Sequence, residues 1–217
     1  MNYAIEARKL ANYITELGES FTTYYTDNQV AYDHIGALFA DIILQSGLNY
    51  GTVVKPRVDY ILYKYPEAKT VNSFKSLIDQ IGAENVLRWR NQVKLDRINC
   101  LVNFFKDKQI NTCQDLILYL SKQDNQLKLL ELKGIGPKTL DYLMKLLNFD
   151  TIAVDRHIFS FVKLANIDSD DYFTTKKIVE YAADFLEISR RSIDKSIWGY
   201  MSNKNYKKTN IQAPLFC

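Results

Sequence analysis

Two side chains suited to covalent chemistry stand seventeen residues apart, Lys138 and Asp155. A lysine whose ammonium has lost its proton attacks electrophilic carbon and can form a Schiff base. A carboxylate held nearby stabilises the positive charge that develops at the attacked centre. Lys138 lies in the string Leu132-Lys133-Gly134-Ile135-Gly136-Pro137-Lys138-Thr139, and Asp155 opens Asp155-Arg156-His157-Ile158 after an apolar run. Two glycines separated by one residue permit a tight turn with its main-chain amides pointing outward. Between short helices, such a turn holds a DNA phosphate on N–H groups and a helix N-terminus without reading any base.

The elements around this pair follow from the pattern. Gly136 suits the cap position and Pro137 the first helical position, where its missing N–H costs nothing. Leu140, Leu143, Met144 and Leu147 fall at i, i+3, i+4 and i+7, a core-facing stripe with Lys138, Asp141 and Lys145 off it. Lys138 is then in the first turn, where the positive end of the macrodipole disfavours a further positive charge. A reversal at Phe149-Asp150-Thr151 allows an extended return. Roughly 11 helical residues out and about five extended residues back each span ~16 Å, which brings Asp155 towards the hairpin end.

Taken together, the hairpin, the lysine two residues after its second glycine and the downstream Val154-Asp155-Arg156-His157-Ile158 resemble the helix-hairpin-helix-GPD superfamily of base-excision DNA glycosylases, in pattern nearest endonuclease III and the 8-oxoguanine glycosylases. The matching string runs from Leu132 to Ile158, and a general helical likeness covers roughly residues 30–200. The resemblance implies a glycosylase with AP-lyase activity in DNA repair. In it Lys138 attacks C1′ of the damaged nucleotide, and Asp155 aids the nucleophile and stabilises the sugar's oxocarbenium charge. The backbone of Gly134, Ile135, Gly136, Lys138 and Thr139 would anchor a phosphate, with a monovalent cation as related hairpins use. Gln45, just after an apolar helix, takes a place similar to the residue that fills the stack when a base is extruded. Trp89 and His157 are candidates for the base pocket, and Tyr32, Tyr50 and Trp198 are further aromatics available to it. The implied partner is double-stranded DNA carrying a damaged base or an abasic site, met by a monomer.

The likeness departs from endonuclease III at the C-terminus. Four closely spaced cysteines ligate an iron–sulfur cluster there, whereas this chain has only Cys217 after Cys113, so no cluster and no other cofactor is expected. The preference of endonuclease III for oxidised pyrimidines is therefore not carried over.

Each feature has an ordinary reading as well. A lysine in a first helical turn is usually a solvated charge, and an aspartate before an apolar helix is usually an N-cap; Asp155 can be both. The order and spacing of the pair favour chemistry. If Lys138 is not the nucleophile, an Asp155-activated water serves a monofunctional glycosylase. A non-catalytic helix-hairpin-helix DNA-binding protein would need the glycines but not the pair. His34 has no partner at metal-ligand spacing.

The rest of the chain reads as helix almost throughout, and the expected fold is all-α and two-lobed. Helices are expected near 3–17, 35–44, 53–65, 73–79, 83–89, 92–107, 112–120, 125–131, 137–148, 157–165, 173–186 and 190–202. One lobe covers about 30–125 with the hairpin following at 125–148. The other joins 1–29 to 149–202, and 203–217 is expected to be an irregular tail.

With 217 residues the chain is long enough for a sizeable core, and its net charge of +3 leaves any nucleic-acid footprint to local clusters such as Arg88 to Arg97. Three scattered cysteines argue against a disulfide framework and suit a reducing compartment. No signal-peptide pattern and no apolar run of spanning length is present, so a soluble intracellular protein without membrane contact is expected.

Overall fold

The computed structural model describes residues 2–26 and 31–211, with side chains as far as Asn203. The described residues form twelve α-helices and no strand. They are α1 (Tyr3–Leu17), α2 (Ile35–Leu44), α3 (Lys55–Lys64), α4 (Val71–Ile81), α5 (Ala83–Leu87), α6 (Gln92–Asp107), α7 (Cys113–Leu120), α8 (Gln123–Leu130), α9 (Pro137–Leu146), α10 (Arg156–Leu164), α11 (Tyr172–Phe185) and α12 (Arg190–Ile211). A wide helical turn over Tyr50–Val54 leads directly into α3.

The helices separate into two units, one continuous (Val30–Phe149) and one made from both ends of the chain (Met1–Gln29 and Asp150–Cys217). In the continuous unit every residue of α2 is buried, with α3, α4, α6 and α9 packed around it. The ring of Phe39 stacks on Phe105 at 5.5 Å and meets Phe74 edge-on at 6.4 Å, so aromatic contacts tie α2 to α6 and α4. Short polar side chains set the helix starts. Thr70 and Ser73 form a capping box on α4, Thr112 and Asp115 form another on α7, and Asn91 accepts from the Lys94 amide at the head of α6. His34 caps α2 through Nδ1, which accepts from the Ala37 amide. Its Nε2 then carries the proton and donates to the Tyr65 carbonyl at 2.9 Å, which gives this histidine a structural role.

The second unit packs α1 against α11, and α10 and α11 against α12. Leu10 and Ile14 of α1 join Phe161, Ile178, Val179 and Ile193 in its core. The segment Thr151 to Val154 belongs to no helix and is buried, and its Ala153 amide donates to the buried carboxylate of Asp194 at 2.9 Å.

Two local expectations need correction. Irregular chain was expected from Asn203, but α12 continues to Ile211; residues 203–211 contain neither proline nor glycine, so nothing in the backbone stops it. Positions 212–217 lie outside the described residues. Asp141, placed off the core stripe of α9, is buried.

Candidate functional site

The hairpin is built by α8, a turn and α9. The Leu132 amide donates to Leu129 O and the Ile135 amide to Leu132 O, closing two tight turns, while the Ile135 side chain is buried in the core and anchors them. Its amide is thus committed within the turn. Gly134 has φ +91°, a left-handed conformation, and a Cβ there would collide with the Arg97 guanidinium. The backbone conformation is what favours glycine, and Arg97 would have to swing aside for any larger residue.

Gly136 caps α9 in an extended conformation with no side-chain hydrogen bond, and nothing lies within 4 Å of where its Cβ would be. The first-turn amides of Lys138 and Thr139 have no intrahelical acceptor, and no side chain caps them, which is the arrangement that suits an anion. Thr139 contributes by its main chain, since its side chain is buried. Lys138 is half-buried, and its amine makes no hydrogen bond or ion pair among the described residues. By contrast Lys75 and Lys163 are paired with Asp79 and Asp170.

Helix α6 joins this hairpin to the end of α2. Lys94 Nζ donates to Ile43 O at 2.7 Å, Leu44 O at 3.4 Å and Ser46 O at 2.9 Å, capping the carbonyls that α2 leaves open. Burial, and then the Arg97 charge, push its pKa below the usual lysine range. One turn further on, Arg97 covers Gly134. Gln45 is the C-cap of α2, half-buried, with Nε2 buried and without a hydrogen-bond partner among the described residues.

Beneath these residues is a cluster that the sequence did not disclose. Asp41, fully buried in α2, accepts hydrogen bonds from the hydroxyls of Tyr32 (2.8 Å), Tyr142 (3.0 Å) and Tyr50 (3.3 Å). Burial raises the Asp41 pKa and the three hydroxyl bonds oppose the rise. Burial and the neighbouring carboxylate push Tyr50 up to about 12, and Tyr32 and Tyr142 well above the ordinary phenol value. The Tyr32 amide also donates to Leu146 O. Lys94, at the end of α2, and Arg97, at the hairpin that leads into α9, are one turn apart on α6, so the end of α2 and the start of α9 lie close together, with the Tyr142–Asp41 bond further in. One further turn brings Gln45 and Lys138 to the same end of the pair.

Of the remaining predicted residues, Trp89 belongs to the continuous unit, and Asp155 and His157 to the second. Trp89 is half-buried with Arg57 over its ring at 5.1 Å, its indole N–H has no acceptor among the described residues, and it borders a cleft of about 440 Å³ with Tyr60, Arg88 and Arg90. A second cleft of about 590 Å³ lies between α1 and the end of α10. Neither is lined by Lys138, Gln45 or Asp155. Asp155 belongs to the second unit and caps α10: its Oδ1 accepts from the His157 amide at 2.8 Å and the Ile158 amide at 3.1 Å, and Oδ2 accepts no hydrogen bond among the described residues. The buried His157 ring meets Trp198 edge-on at 6.3 Å. Cys100 is exposed, Cys113 is buried at the head of α7, and Cys217 lies outside the described residues. No helix of the described residues is long and apolar enough to cross a membrane. The chain matches no protein-family model and no curated protein.

Proposed function

We propose that the protein is a base-excision DNA glycosylase with AP-lyase activity, acting on duplex DNA that carries a damaged base or an abasic site. The observation that carries the reading is half-buried Lys138, whose amine has no partner among the described residues, in the first turn of a helix that no side chain caps. The first-turn amides hold the phosphate, with Arg97 adding positive charge beside Gly134. The amine attacks C1′, the C1′–N bond breaks, and the base leaves with the bonding pair and takes up a proton. Ring opening gives a C1′ Schiff base, loss of a C2′ proton expels the 3′ phosphate by β-elimination, and water then releases Lys138. The sequence resemblance assigns the developing sugar charge to Asp155, whose Oδ2 accepts no hydrogen bond among the described residues.

One observation favours a non-catalytic DNA-binding reading: Asp155 already serves α10 as its cap. Borohydride trapping separates the two. On duplexes bearing an abasic site, 8-oxoguanine, thymine glycol, uracil or an alkylated purine, the wild type forms a covalent adduct that Lys138→Ala abolishes. Retarded but intact and untrapped DNA would select the binding protein; base release without an adduct would select a monofunctional enzyme using an Asp155-activated water.

A further inference from the structure

The Asp41 cluster spends a fully buried carboxylate and three phenols at one place in α2, which is more polar machinery than a joint between two apolar helices requires. Removing a carboxylate from water is costly unless its lone pairs are satisfied, and here three donors from three separate segments converge to satisfy them. Cores that need only cohesion are filled with apolar side chains; convergent hydrogen bonds add orientation. What this cluster orients is given by position. Tyr142 stands one turn after Lys138 on the same face of α9, and Asp41 one turn before Gln45 on the same face of α2. Tyr50, 39% exposed, brings the cluster to the surface on the wide turn that follows Gln45.

We propose that Asp41 is a positioning residue that fixes Tyr142 and Tyr50 as the wall of the pocket against which an extruded base is read. The inference rests on the glycosylase reading and extends it to base recognition. A nucleotide attacked at C1′ by Lys138 carries its base directly on that carbon. The next turn of the same helix face lies about 5.4 Å along the axis, within the reach of a planar base from its sugar. An aromatic ring there offers a stacking or edge contact to any base, but only if its orientation is fixed; the hydroxyl bond to Asp41 fixes it. Gln45, at the same end of the helix pair, has a buried Nε2 without a partner among the described residues.

The test compares two single-turnover measurements: base excision from the lesion panel above, and trapping on an abasic duplex, which has no base to read. Asp41→Asn takes the charge from the acceptor, and Tyr142→Phe removes the donor, of the same bond. Each is expected to slow excision at least tenfold more than it slows abasic trapping, and the double variant to lose no more than the worse single one. Tyr50→Phe should follow with a smaller loss. Tyr142→Phe removes a single oxygen and keeps the ring, so it reports even if Asp41→Asn fails to fold. Equal losses in both measurements would make the cluster a mere packing feature and overturn the proposal, as would a wild type that traps abasic DNA but excises none of the lesions. A wild type that traps nothing and releases no base would instead overturn the glycosylase reading on which the proposal stands.

Discussion

Gly134 shows how little separates this hairpin from another backbone. Its φ of +91° suits few side chains, and even a methyl group would meet Arg97. Gly134→Ala is expected to destabilise the protein by about 1–3 kcal/mol, measured by urea unfolding, with weaker duplex binding because the turn and Arg97 move together. Acid sensitivity is also set residue by residue. The amide and hydroxyl of Thr112, with the Asn111 amide, hold the Asp115 carboxyl below its ordinary range. A carboxylate whose pKa is depressed by folding adds stability above its unfolded value of about 4, and that stability is lost as pH falls through the folded value. Melting followed from pH 6 to 2 should therefore show a shallower acid-side decline for Asp115→Asn, from a lower starting Tm. At this scale the sequence was most informative where chemistry is local. Gly134, Gly136, Pro137 and Lys138 are contiguous, and the cap role of Asp155 is read from its next three residues. Asp41 was not legible, because its partner Tyr142 is 101 residues away and a single aspartate in an apolar run does not announce what it meets.

Among the elements, α2 depends most on a neighbour. Its ten residues are buried, so its terminal carbonyls cannot turn to water, and the Lys94 ammonium of α6 satisfies them. Lys94→Met keeps the aliphatic stem and removes the donors. It is expected to cost about 1–3 kcal/mol in urea unfolding, since bonds to a charged donor are lost at a buried helix end. An unchanged midpoint would mean that water replaces the ammonium without loss. Helix starts carry a local signal, since Asn2, Thr70, Asn91, Thr112 and Asp171 are all capping types whose side chains accept a backbone N–H. Ends were less so: the polar composition after Asn203 reads as loop, yet no residue there breaks a helix, and α12 runs on. The position of Arg97 over Gly134 is a tertiary fact between segments 37 residues apart, which periodicity does not contain.

For the whole molecule, the consequence of the two units is that they differ in how they can be cut. Val30–Phe149 is one uninterrupted stretch with its own apolar core, whereas the other unit needs α1 from the N-terminal end to cover α11. Without α1, the apolar surface that Ala7, Leu10 and Ile14 cover would face water, at about 25 cal/mol for each Å² uncovered. A fragment of residues 30–149 is therefore expected to melt cooperatively by circular dichroism, and a fragment of 150–217 to lack a folded baseline until a peptide of residues 1–29 is added. The larger fragment retains the hairpin, Lys94, Arg97 and Lys138 but not Asp155. On the proposed function it should bind abasic duplex with an affinity that falls steeply with salt, since phosphate contacts survive, and should trap far more slowly than the full chain. Trapping at the full rate would remove Asp155 from the chemistry and leave Lys138 to act with groups of its own unit.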